Sequence, residues 1–236
     1  QSHFYNSFNI RISNGFVISP AGRFISTKET TMNAEIDSSS PPTDFNGGSG
    51  STNYSLTPTQ NETSIENFIL SLSLVKYVSL YKFGINGSFS YLNEIHQSQI
   101  GASASYFPSG SKSFYSTSNI VLHNQNSVTE MIFTQLFGGK LRKGLFLEGY
   151  ATIGKVYNYN EENGYIVFNN SDATSFKFGL NMKYAVSNST NLYLIYLNQQ
   201  RERNYTVYNI PQKNPVLTQK LTYSVNTILA GVKINF

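Results

Sequence analysis

Between Phe176 and Val186 every second residue is apolar. Phe176, Phe178, Leu180, Met182, Tyr184 and Val186 share one face, and Ser175, Lys177, Gly179, Asn181, Lys183 and Ala185 share the other. A period of two belongs to a β-strand with unlike faces and does not fit a helix. The same split sets Phe8, Ile10, Ile12, Phe16 and Ile18 against Asn9, Arg11, Ser13 and Gly15. A third copy sets Tyr81, Phe83, Ile85, Phe89 and Tyr91 against Lys82, Gly84, Asn86, Ser88 and Ser90. Segments 66–78, 128–141, 145–157, 191–203 and 221–236 alternate less cleanly. Each clean apolar face runs for about ten residues, enough to cross a bilayer when tilted. A soluble sandwich would pack such faces against each other, so alternation alone does not choose between the two.

Composition favours the bilayer. Charged residues make up only 13% of the 236 residues, while Tyr and Phe number 17 each. Soluble domains carry about 25% charge. Here Asn, Ser and Thr take much of that place, which suits one apolar face in lipid and one polar face turned inward. No window nears the roughly 18 apolar residues of a membrane helix. The longest apolar stretch, Phe68 to Val78, is broken by Ser71, Ser73 and Lys76. With no Cys, disulfides, thiolate metal centres and an acylated N-terminal Cys are excluded. The net charge of +4 is scattered, and the longest basic run is Arg142-Lys143. No nucleic-acid partner is therefore expected. The chain starts at Gln1 and shows neither a basic nor an apolar leader, which favours a processed, exported protein.

The connections alternate in length. Short ones fall near 77–80, at Arg142-Lys143-Gly144 and at 187–190; long ones fall near 20–63, 97–125, 158–172 and 204–219. Short turns at one end and long loops at the other are the habit of outer-membrane barrels. Asn163-Gly164 is a type I′ hairpin signal that pairs 145–157 with 176–186. Pro108 to Lys112 reads as the tip of a second extended hairpin, between 82–106 and 114–141, and Lys213-Asn214 as the tip of a third. Residues 97–122 thus read as a projecting element dispensable for the barrel. The segment 37–63, with its Ser-Pro and Gly-Ser runs, reads as a flexible outer loop. One domain spans 1–236.

The last strand ends in Phe236, with Ile234, Val232, Ala230 and Ile228 at every second position before it. This resembles the C-terminal signal of bacterial outer-membrane barrels, and the whole plan resembles the small eight-stranded members, such as OmpX and the membrane part of OmpA. The resemblance is one of pattern and carries no family-specific motif. It implies an all-β, antiparallel, up-and-down transmembrane barrel of about eight strands, with short periplasmic turns and long extracellular hairpins. It further implies both chain ends in the periplasm of a Gram-negative cell, and a transient partnership with the barrel assembly machinery through Ile228, Val232, Ile234 and Phe236. Deleting Phe236 is expected to lower the level of protein in the outer membrane more than it lowers intrinsic stability. Normal membrane levels of the truncated chain would defeat that expectation.

Inside such a barrel, Arg11, Lys82, Glu130, Glu148, Lys177 and Lys183 point inward by parity. Confined charges must be paired, so a salt-bridge network that fills the lumen is expected over a pore lining. The three histidines are His3, His96 and His123. His96, with Glu94 nearby, is placed close to His123 by the hairpin around Gly110, a candidate acid–base or metal pair. A lone surface histidine is the commoner meaning. No catalytic residue, metal or cofactor is assigned. The reading is a non-enzymatic barrel, an accessory subunit of a larger outer-membrane assembly or a surface-binding protein. The alternatives are an outer-membrane enzyme acting on lipid or peptide, and a narrow channel.

Overall fold

The computed structural model describes residues 2–37, 55–92, 94–157, 159–161, 165–168, 172–187, 189–209 and 214–234. The strands are β1 (Ser2–Ser7), β2 (Ile10–Arg11), β3 (Phe16–Asp37), β4 (Ser55–Val78), β5 (Tyr81–Leu92), β6 (Ile95–Tyr106) and β7 (Phe114–Gln125). They continue with β8 (Val128–Arg142), β9 (Leu145–Val156), β10 (Tyr159–Glu161), β11 (Ile166–Phe168), β12 (Ala173–Ala185), β13 (Thr190–Asn209) and β14 (Asn214–Ile234). All but β10 and β11 form one antiparallel sheet of twelve strands. Because β1 and β2 lie end to end along one edge of β3, that sheet is eleven strands across. Among the described residues it does not close: β14 pairs with β13 alone, and β1 with β3 alone.

The twelve strands replace the eight expected, and the reason is local. Residues 82–106 and 114–141 do not stand as two long arms. Each is broken by a tight turn carried by residues other than glycine: Glu94 at φ 63°, and Asn126 and Ser127 at φ 50° and 63°. Positive φ without glycine is uncommon, so these turns leave little mark in a sequence. The segment 97–125 is therefore β6 and β7, integral to the sheet, and removing 97–122 would delete both rather than spare the barrel. The turn around Gly110 lies beside that at 79–80, where Phe107 donates its N–H to the Leu80 carbonyl at 2.8 Å. It belongs to the same end as 143–144 and 186–189, hereafter the turn end.

Two further corrections follow from the register. The first alternating segment is a hairpin: the chain reverses through a 3-10 turn at Ser13–Gly15, and Ile10 pairs with Ile18. The supposed long loop 20–63 is mostly strand, since β3 and β4 pair continuously from Phe16↔Lys76 to Asp37↔Ser55. Residues 38–54, which hold the Gly-Ser run, lie outside the described residues. With eleven strands across, Ser2 begins β1 from the loop end while Ile234 finishes at the turn end. The two are not placed together, as an even number would have required. Pairing of 145–157 with 176–186 is as expected, from Tyr184↔Leu145 to Thr174↔Val156, as is the long β13–β14 hairpin.

The two faces of the sheet are inverted relative to a water-soluble protein. Among the described residues eight hydrophobic side chains are buried, against fourteen polar or charged ones, including Asn67, Ser90, Gln97, Gln99, Thr152 and Lys177. The outer face exposes Leu70, Leu72, Ile85, Ile100, Met131, Ile153 and Ile228. Polar residues are rarely buried in this proportion in soluble folds.

Candidate functional site

Among the described residues the interior gathers buried polar and charged groups, and two cross-strand pairings shape its wall. Tyr115 faces Gly138, and Tyr150 faces Gly179. Each tyrosine ring lies over its glycine so closely that a Cβ there would collide with the ring. The missing side chains let both rings lie flat against the wall, the role glycine serves where another group approaches closely. Tyr115 donates its hydroxyl to Glu148, which also accepts from Asn181 Nδ2 at 3.2 Å.

The connection between β9 and β12 does not project beyond the sheet. Its strands β10 and β11 pair in register, Tyr159↔Phe168 to Glu161↔Ile166, as the Asn163-Gly164 signal requires. Those two residues themselves lie outside the described set. The hairpin folds inward, contrary to expectation, and crosses the lumen. Tyr159 is buried and packs edge-on against His123, with ring centroids 5.9 Å apart. Asn160 donates from Nδ2 to Ser88 Oγ at 3.2 Å, and its backbone carbonyl accepts from Gln99 Nε2 at 3.0 Å. Glu161 meets Lys177 Nζ at 2.9 Å. On the far side, Arg23 donates to the Tyr165 carbonyl, and the Tyr165 ring packs against Tyr5 at 5.3 Å. The hairpin thus touches β12, β7, β6, β5, β3 and β1. Burial, and then the Glu161 carboxylate, push the Tyr159 phenol well above its ordinary pKa.

Between this hairpin and the turn end lies a cavity of about 580 Å³, lined by Lys82, Asn86, Asn119, Glu148, Tyr150 and Lys177 among others. The width of the sheet explains why a plug is present. An eight-stranded barrel is filled by its own side chains. Eleven strands enclose more space than side chains span, and the hairpin occupies part of it.

The six predicted interior charges divide by depth. Lys177 is 3% exposed, paired with Glu161 and 5.4 Å above the Tyr150 ring centre. Lys82 and Glu148 line the cavity. Glu130 sits at the loop-end rim, opposite His123 and 3.9 Å from Lys155. Lys183 lies over the Tyr193 ring at 5.7 Å, near the turn-end mouth, and Arg11 is exposed beside the first turn. Glu161, the partner that organises this set, was missed because parity arguments stop at strand ends. The candidate histidine pair does not form. Gln99 pairs with His123 and Tyr91 with His96, so His123 points inward while His96 lies outside against Tyr91 at 4.8 Å. Of the C-terminal set, Ile228, Val232 and Ile234 lie exposed on the outer face of β14; Phe236 lies outside the described residues.

The Lys177–Glu161 pair yields a direct test. Lys177→Met should cost about 3–5 kcal/mol, because it leaves Glu161 uncompensated in the lumen. The double change Lys177→Met with Glu161→Gln should recover most of that loss. Denaturant midpoints in detergent measure both, and equal losses would show that the pair does not hold the hairpin.

No family model, curated protein or solved structure matches this chain. The likeness to eight-stranded barrels therefore stays a likeness of sequence pattern, and the sheet is wider than theirs.

Proposed function

We propose that the protein is an integral outer-membrane β-barrel that is not an enzyme and that works as an accessory subunit of a larger membrane assembly. Its apolar outer face meets lipid. Its lumen is closed by its own β10–β11 hairpin, and its working surfaces are the rim and the sheet edges. One observation carries the reading: polar groups fill the inside while large aliphatic side chains cover the outside. In water that arrangement forfeits about 25 cal/mol for each Å² of apolar surface left exposed; in a bilayer the same surface is satisfied. An outward aromatic cluster at the turn end supports it, with Tyr81 stacked on Tyr106 at 5.0 Å and on Phe83 at 6.0 Å. Aromatic belts of this kind sit at membrane–water interfaces. The test is extraction and gel migration. The protein should leave membranes only with detergent and migrate differently before and after boiling. Release by alkaline carbonate alone would overturn the proposal.

A narrow channel gated by the hairpin is the second reading, favoured by the cavity beneath it. Under that reading the hairpin moves; under the first it stays seated.

A further inference from the structure

The two edges of the open sheet run the same way. β14 descends from Asn214 at the loop end to Ile234 at the turn end, and β1 with β2 descends toward the turn at Ser13–Gly15. The C-terminal half of β14 is exposed on both faces. Outward Ile228 and Val232 are 70% and 63% exposed, and Leu229, of inward parity, is 58% exposed. A Cβ added at Gly231 would meet nothing within 4 Å. On β12, by contrast, inward Lys177 is almost wholly covered.

We propose that this gap receives one β-strand from a different polypeptide, running antiparallel to both β14 and β1. The inference rests on the membrane reading above. Hydrocarbon does not tolerate an open sheet edge, because every second residue of each edge strand leaves its N–H and C=O unpaired. An odd width closed on itself would force a parallel pair between β14 and β1, in a sheet whose every other pair is antiparallel. Parallel pairs are also slightly less stable per residue. Closing β14 on β3 instead would evict β1. That strand is held along Ser2↔Ser26 to Ser7↔Ala21, with Asn9 accepting from Ser19 Oγ at 2.6 Å and Tyr5 packed on the plug hairpin. A second copy does not fit either. Copies inserted in one direction present only descending edges to each other, whereas the gap needs an ascending strand. The occupant is thus a segment of about ten residues, the length that spans a bilayer. It is apolar on its lipid side and small or polar toward the lumen, and is added by strand augmentation.

The chain contains no Cys and its outer face is accessible, so position-specific labelling is clean. A photo-crosslinking amino acid is placed at Ser224 and Val232 on β14, at Asn6 on β1, and at Leu180 on mid-sheet β12 as control, in the native membrane. The three edge positions should join one and the same polypeptide within one short segment. Val232 should map toward its N-terminal half and Ser224 toward its C-terminal half, because the incoming strand ascends; Leu180 should join no protein. Links from β14 to any segment of the same chain would overturn the inference, as would links scattered over unrelated partners or mapped in the opposite order. A membrane-bound protein with self-closing links loses the seam proposal alone. A protein washed from membranes without detergent loses the membrane reading first.

Discussion

Leu180→Arg is expected to destabilise the lipid-embedded protein by about 2–4 kcal/mol, and Asn181→Arg by much less. The two residues are neighbours on β12 and differ only in the face they present. Leu180 lies on the outer face, paired with Tyr196 and Gly149 and flanked by Phe178 and Met182. A guanidinium there must be desolvated at bilayer depth or drag water and headgroups inward. Asn181 lines the cavity and already donates to Glu148. An Arg in its place meets a carboxylate in a polar chamber. In a soluble fold the order would reverse, because an exposed Leu tolerates Arg and a half-buried Asn does not. Unfolding in lipid vesicles by denaturant gives the two values, and equal costs would defeat the assignment of faces.

The second large effect concerns the inward hairpin. The intact protein should show no steady current across a planar bilayer, whereas a variant in which 159–168 is replaced by a short Gly-Ser linker should conduct. The expectation follows from width. Side chains alone fill an eight-stranded lumen, but here Tyr159, Asn160, Glu161 and Tyr165 bridge from Lys177 across to Arg23. Without them the 580 Å³ cavity opens toward the loop end. The variant's heat-dependent gel migration separates an open barrel from an unfolded one. A folded variant that stays silent would show that side chains seal the lumen by themselves. A conducting wild type would favour the gated channel.

The strand faces were legible because alternation is a property of neighbouring residues. From Phe176 to Ala185 and from Tyr81 to Tyr91 the unbroken register keeps each residue on the face its parity assigns, with Lys177 inside and Leu180 outside. Pairings set by a short turn were legible too, as at Gly144, whose φ of 81° and close approach to the Ala185 carbonyl call for glycine. The strand number was not. Glu94, Asn126 and Ser127 reverse the chain without the Gly or Pro that would announce it, so four strands read as two.

The remainder belongs to the tertiary structure. Nothing in Tyr159 to Phe168 distinguishes a hairpin that rises above a rim from one that folds into a lumen, since both use the same turn and the same ladder. The choice depends on how much space the curled sheet leaves, and on whether Ser88, Gln99, His123 and Lys177, far apart in sequence, converge to receive it. The His96–His123 separation has the same origin, since a shift of one residue in strand register exchanges inside for outside. The sequence by itself determined an all-β chain with one apolar and one polar face, because periodicity and composition are local and additive. The width of the sheet, its bare edges and its plug were decided only by long-range pairing, where geometry rather than residue type selects among arrangements that satisfy the same local rules.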